Sequence, residues 1–274
     1  MQQNKQRIDT LLVEKGLFAT REKAKAALMA GLVRVGGELV DKAGTKVPVH
    51  ADVQVTGAPH PYVSRGGLKL EEALRAFAYD MTGRVVIDVG ASTGGFTDCA
   101  LQHGATHVYA VDVGYGQLDW KLRQDERVTV MERTNFRHVD PDCFSDPRPD
   151  VALIDVSFIS LDKILPKLGE ILPEGGTILS LVKPQFEAGR ESVGKKGIVR
   201  DPAVHREVLA RTVHMAETHG FRMSDVAFSP ITGSEGNIEF LVAWRKVARA
   251  LLSVDDIAHR VEETVSRAHR ELSH

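Results

Sequence analysis

Four charged residues stand at the rims of apolar runs: Lys69 within LKLEEAL, Asp155 directly after VALI, Lys183 directly after TILSLV, and Glu239 at the entry to FLVAW. A charge at the edge of a buried strand is costly unless it is paired or functional, so four such positions point to a site. The segment 85–96, VVIDVGASTGGF, supplies a second kind of chemistry. A β-branched apolar run ends in Asp88 and passes through Gly90, Gly94 and Gly95 into an expected helix, and glycines let a backbone approach a ligand without interference from Cβ. A dinucleotide fold would carry G-x-G-x-x-G, with the helix N-terminus facing a pyrophosphate. The spacing here is G-x-x-x-G-G after an acid, which suits S-adenosylmethionine, a ligand with no diphosphate to neutralise. Asp88 and the turn Gly90, Ala91, Ser92, Thr93, Gly94, Gly95 and Phe96 are the expected cofactor contacts. Asp112 ends a second strand-like run, 107–113, and is expected to accept hydrogen bonds from the ribose hydroxyls, with Val113 and Asp155 beside it.

The elements that must position these residues follow a regular alternation. A helix over 68–79 precedes a strand at 84–88, and a helix over 95–103 precedes a strand at 108–111. Strands follow at 128–132 and 151–154, then a helix near 163–172, a strand at 177–182 and a helix over 202–219. The last strands, 223–229 and 238–244, are joined by SPITGSEGN and read as an antiparallel hairpin. The pattern predicts a doubly wound α/β domain, its sheet mostly parallel. Residues 246–274 carry apolar positions at helical spacing and predict a terminal helix.

The front of the chain has a different grammar. Ile8, Leu11, Leu12 and Val13 suggest a short helix ended by Gly16, and Thr20 caps a second that stops at Gly31. LVRVGGELV has the Gly36-Gly37 pair of a tight hairpin, and VPVHADVQVTG offers another strand with Ala51 and Asp52 at its turn. The expected organisation is a small α+β domain over 1–57, a proline-stiffened linker over 58–61, the α/β domain over 62–245 and a helical extension over 246–274.

Composition narrows the function classes. No apolar stretch approaches the ~20 residues of a membrane span, and MQQNKQRIDT has no secretory apolar segment, so a cytoplasmic protein is expected. Cys99 and Cys143 lack zinc spacing and the eleven histidines are scattered, so no metal is expected. Residues 1–61 hold nine Lys/Arg against six Asp/Glu, whereas 62–245 hold 21 against 26, which makes the front end the basic part. Residues 189–196, GRESVGKK, nearly spell a phosphate-binding loop. Lys196 replaces the Ser/Thr that would hold magnesium, and no strand leads into the segment. Residues 187–201 read instead as a loop over the active site, with Lys195 and Lys196 approaching RNA phosphates.

Arg7, Ile8, Asp9 and Leu12, then Thr20-Arg21-Glu22-Lys23-Ala24, then the run 31–37 resemble the RNA-binding domain first described in ribosomal protein S4. The resemblance implies that Arg7, Arg21, Lys23, Lys25 and Arg34 line a surface for structured RNA, where basic side chains contact phosphates and read shape. Lys69, Asp155, Lys183 and Glu239, in that order, resemble the tetrad of FtsJ-like ribose 2′-O-methyltransferases. In that role Lys183 is the general base or proton relay, assisted by the second ammonium, Lys69, and by partial burial, while Asp155 and Glu239 hold the lysines. Together with PYVSRGGLKL, which brings in Arg65 as a further RNA contact, DVGASTGGF, IDVSF and LVKPQFE, the chain resembles the TlyA family over nearly its whole length. The resemblance implies a Rossmann-like S-adenosylmethionine-dependent methyltransferase acting on the 2′-hydroxyl of cytidine in ribosomal RNA.

Asn135 is then expected near the adenine, its amide replacing the acid many such enzymes place after the third strand. Other chemistries fit less well. The Asp/Asn-Pro-Pro-aromatic turn of amino-group methyltransferases is absent at 155–158, and neither cysteine is placed as a nucleophile for carbon methylation. Family members are often labelled haemolysins, yet nothing here offers a span or an extended apolar helix with a basic face. A ribosome-binding protein that keeps the fold without catalysis is the remaining alternative.

Overall fold

In the computed structural model the described residues are 5–18, 20–29, 31–55, 60–194, 197–233 and 235–272. They fall into two compact units, Met1–Arg65 and Gly66–His274.

The first unit begins with β1 (Lys5–Arg7), α1 (Ile8–Glu14) and α2 (Arg21–Met29), followed by β2 (Val33–Val35), β3 (Glu38–Leu39), β4 (Lys46–Pro48) and β5 (Val53–Val55). Ile8, Leu11 and Leu12 lie on one face of α1 and meet Ala24, Ala27 and Leu28 of α2, and Leu32, Val33 and Val47 close this small core. Gly16 stops α1 with φ +71°, and Leu17 N–H bonds back to Leu12 O at 3.0 Å. Gly36 and Gly37, both at positive φ, turn β2 into β3. The run that begins at Val47, expected as a further strand with Ala51 and Asp52 at its turn, gives two short strands. β4 pairs antiparallel with β1 and β5 with β2, so the two halves of that run belong to different sheets.

The second unit opens with α3 (Gly66–Ala76) and β6 (Val85–Val89), then α4 (Gly95–Gln102), β7 (His107–Val111), α5 (Trp120–Arg123), β8 (Val128–Met131), β9 (Val151–Ile154) and α6 (Leu165–Ile171). It continues through β10 (Thr177–Val182), α7 (Pro184–Glu187), α8 (Pro202–Thr218), β11 (Phe221–Phe228), β12 (Phe240–Lys246) and α9 (Val254–Leu272). The sheet order is β11-β12-β10-β9-β6-β7-β8. β8, β7, β6, β9 and β10 run parallel, and β12 enters antiparallel between β10 and β11. The parallel core strands are continuous apolar runs because helices cover both faces. The chain leaves β6 toward β7 and β8 and returns on its other side as β9. The carboxyl ends of β6 and β9 therefore flank the switch point where open α/β sheets bind ligands.

The segment after residue 245 is part of this core. Val261, Val265 and Ala268 of α9 are buried in the main cluster, Arg260 bonds Asp225 at the β11 irregularity at 2.7 Å, and Ser253 and Asp256 form a capping box. His205 of α8, fully buried, pairs with His269 of α9 at 2.9 Å. Burial first, and His269 second, depress the His205 imidazole to about 4.

Candidate active site

The turn after β6 is held by the protein as tightly as a ligand would require. Gly90 (φ +87°) and Gly94 (φ +99°) both adopt the left-handed region. A Cβ on Gly90 would lie 2.6 Å from the Asp155 carbonyl oxygen, and one on Gly94 would lie 2.3 Å from Leu122 Cδ1. These two glycines thus let protein segments close on one another, a reason additional to ligand approach. Asp112, half-buried at the end of β7, accepts Ser92 N–H at 2.8 Å and Gly114 N–H at 2.7 Å. It staples the β6 turn to its own. Val113 beside it is 73% exposed, an apolar surface next to that carboxylate.

Asp88 lies inside β6 with no exposed surface. Its Oδ2 accepts the Thr97 hydroxyl at 2.6 Å, while Oδ1 has no hydrogen-bond partner among the described residues. Burial pushes its carboxyl up to about 7, and the charges of Asp155 and Asp112 add to the rise against the Thr97 hydrogen bond. An unsatisfied buried carboxylate oxygen, a glycine turn and an exposed apolar residue beside an acid fit a ligand with a cationic amino group, a ribose and a flat base. Phe96, in the first turn of α4, is buried in the core at 4% exposure. Asn135 is exposed, and its Oδ1 caps a short 3₁₀ turn by accepting Arg137 N–H at 3.2 Å. The amide NH₂, a donor, is the part it can offer a ligand.

The four charged residues resolve into two ion pairs at the same sheet edge. Lys183 follows β10 and Asp155 follows its parallel neighbour β9, and their side chains meet at 2.5 Å. Phe240, the first residue of β12, pairs with Val182, which sets Glu239 across from Lys183. Glu239 reaches Lys69 of α3 at 2.6 Å. Lys69, Lys183 and Glu239 are buried, and Asp155 retains 22% of its side-chain surface. Each lysine therefore faces its own carboxylate, an arrangement closer to neutral than two adjoining lysines. A Cβ at Gly233 would lie 2.6 Å from Glu239 Oε1, so this loop closes directly over the Lys69–Glu239 pair. The Lys183–Asp155 pair has the more open side.

Three contributors carried little signal in the sequence. Ser157 Oγ accepts from Lys183 Nζ at 3.1 Å, placing a hydroxyl from the IDVSF segment on the central amine. Thr97, in the first turn of α4, is the Asp88 partner. Glu187, the last residue of α7, accepts Leu161 N–H and the Ser160 hydroxyl at 2.8 and 2.7 Å, tying the segment after Lys183 to the one after Asp155. Cys99 is buried in α4 and Cys143 is exposed.

In the first unit, Arg7, Arg21, Lys23, Lys25 and Arg34 are exposed, and so is Arg65. Asp9 brings two of them together: fully buried, it accepts Arg7 through Nε at 3.0 Å and Nη2 at 2.9 Å, and Arg21 Nη2 at 2.9 Å. Arg34 donates to Gly37 O at 2.9 Å. Lys195 and Lys196 lie outside the described residues.

A seven-stranded sheet of this order, with a glycine turn at its switch point and paired lysines and acids along its carboxyl edge, defines a nucleoside-cofactor enzyme of the methyltransferase class. The chain matches the FtsJ-like methyltransferase model over residues 62–246 and the S4 domain model over residues 6–53. It is 58% identical to YqxC of Bacillus subtilis, which bears an rRNA methyltransferase name, across 88% of this chain and 86% of that one. It is 41% identical to the 16S/23S rRNA (cytidine-2′-O)-methyltransferase TlyA of Mycobacterium tuberculosis, across 95% and 97%. A solved structure of a protein called a hemolysin, from Streptococcus thermophilus, superposes with a TM-score of 0.78 at 49% identity, covering 98% of this chain and 97% of that one. The chain belongs to the TlyA family of FtsJ-like methyltransferases, with an S4 domain at its front.

Proposed function

We propose that this protein transfers a methyl group from S-adenosylmethionine to the 2′-hydroxyl of a cytidine in ribosomal RNA. The observation that carries the reading is the Lys183–Asp155 pair, its lysine buried and its acid partly exposed, on the switch-point edge beside the glycine turn and backed by Lys69–Glu239. S-adenosylmethionine, when bound, supplies a methyl group on a sulfonium, already a strong electrophile. The protein's task is then to aim and deprotonate a hydroxyl that is a poor nucleophile at neutral pH. Lys183, acting as the neutral amine, takes the hydroxyl proton on Nζ and becomes the ammonium, while Asp155 and Ser157 hold that nitrogen in place. The Lys69 ammonium, fixed by Glu239, faces the negative charge that develops on the ribose oxygen. Holding the hydroxyl in line can contribute on the order of several kcal/mol, and base catalysis about 10²- to 10⁴-fold.

On the cofactor side, Asp88 and the turn residues 90–95 hold the amino-acid part, and Asp112 takes the ribose hydroxyls. Val113 and the Asn135 amide meet the adenine, and Asp155 borders the methyl-bearing end. Arg7, Arg21, Lys23, Lys25, Arg34 and Arg65, with Lys195 and Lys196, contact RNA phosphates. None of the described helices is long and apolar enough to cross a membrane. We assign the protein to the cytoplasm, where its substrate is found.

The test is incubation with methyl-labelled S-adenosylmethionine and, separately, small and large ribosomal subunits from a strain lacking the enzyme. Label on a cytidine ribose is expected. Label on a base, or none on either subunit from protein that binds S-adenosylhomocysteine, would overturn the reading.

A further inference from the structure

Asp88 is unusual among the acids of the second unit because it is sealed from solvent with half of its hydrogen-bonding capacity unused. Its Oδ2 is engaged by Thr97 at 2.6 Å, Thr97 is itself fully buried, and Oδ1 has no partner among the described residues. The charged groups acting on it, Asp155 beyond β9 and Asp112 beyond β7, are both acids and disfavour its ionised form. Keeping such a group in a fold has a cost, and the cost is recovered when a cation meets the open oxygen. The turn that follows Asp88 is where the methyltransferase reading puts the amino-acid part of the cofactor, whose α-amino group is such a cation.

We propose that Thr97 is a positioning residue for cofactor binding: its hydroxyl holds Asp88 by Oδ2 and thereby presents Oδ1 to the cationic amino group of the cofactor. The inference rests on that methyltransferase reading. Donation to a carboxylate favours its charged form, so the same hydroxyl also keeps Asp88 able to lose its proton. Binding of an amino-bearing ligand is then linked to pH. As pH falls through the neutral range Asp88 becomes a neutral acid and the attraction weakens, whereas a ligand without the amino-acid part is indifferent to that change.

The experiment is calorimetric binding of S-adenosylhomocysteine and of 5′-methylthioadenosine, which lacks the amino acid, to wild type, Thr97→Val and Thr97→Ser between pH 6 and 8. Thr97→Val is expected to weaken S-adenosylhomocysteine by about tenfold, the scale of one hydrogen bond to a charged group, and to leave methylthioadenosine within about twofold. Thr97→Ser should restore the affinity, and the preference of wild type for S-adenosylhomocysteine should rise with pH. Equal weakening of both ligands by Thr97→Val would mean a merely structural role and overturn the inference, as would no weakening of either. Failure of wild type to bind S-adenosylhomocysteine would instead overturn the methyltransferase reading itself.

Discussion

Asp9 and Asp88 are both fully buried aspartates, one in each unit, and the protein treats them in opposite ways. Asp9 is saturated: Arg7 and Arg21 give it three charge-assisted hydrogen bonds, and the hydrogen bond from Arg7 above all holds its carboxyl well below the usual range. Asp88 is engaged by the uncharged Thr97 and keeps one oxygen without a partner among the described residues, and burial pushes it up to about 7. The first arrangement spends its acid inside the protein to gather two half-exposed arginines, so it builds a surface. The second leaves one oxygen without a partner among the described residues, the oxygen we propose meets the cofactor's amino group. Burial alone therefore says little about the role of a charged residue, and the number of internal partners says much more.

The contrast can be broken most severely at Asp88. Asp88→Ala is expected to lower affinity for S-adenosylhomocysteine by up to about 100-fold, since it removes a desolvated charge facing a cation. The same variant should be more thermostable than wild type at pH 8. The folded carboxyl titrates near 7 against an ordinary value of 3.8, so its ionisation penalises the fold only as pH rises through that window. Melting curves at pH 4 and pH 8 check the sign: the advantage of the variant should shrink toward pH 4.

Asp9→Ala should do the reverse. Its folded carboxyl lies below the ordinary value, so its stabilisation is present above about pH 4 and lost as acid protonates it. Wild type should exceed the variant in melting temperature at pH 7 and converge with it in strong acid. Affinity for ribosomal RNA should fall about tenfold as the two guanidinium groups lose their common anchor. The smallest effect belongs to the arginines singly. Arg7→Ala or Arg21→Ala should reduce the slope of log affinity against log salt by about one, with a few-fold loss at fixed salt, as measured by filter binding across a salt series.

Much of the second unit was legible because its chemistry sits at the ends of apolar runs. VVIDVG, VALID, TILSLVK and EFLVAW each announce both a strand and the residue it delivers. The pairing of those residues was not legible. Lys69 finds Glu239 only because β12 inserts antiparallel beside β10 and brings Glu239 to the edge that α3 covers. The cofactor turn was recognisable from its glycines, but Gly90 and Gly94 also answer to Asp155 and Leu122, segments far along the chain. Thr97 offered no signal beyond its place in the first turn of the helix, and the inward ring of Phe96 depends on the helix face, which spacing near a helix start does not determine. In the first unit, strands of two or three residues are set by tertiary pairing more than by alternation. That is why the run 47–55 read as one folded-back strand, whereas its halves join β1 and β2.

Whether the Lys183 amine receives the ribose proton is decided by single-turnover methylation of ribosomal subunits by Lys183→Ala, alongside its affinity for S-adenosylhomocysteine. A rate lower by about 10²- to 10⁴-fold is expected, with affinity within about twofold of wild type. A variant that binds the product normally and still transfers the methyl group at the wild-type rate would contradict it.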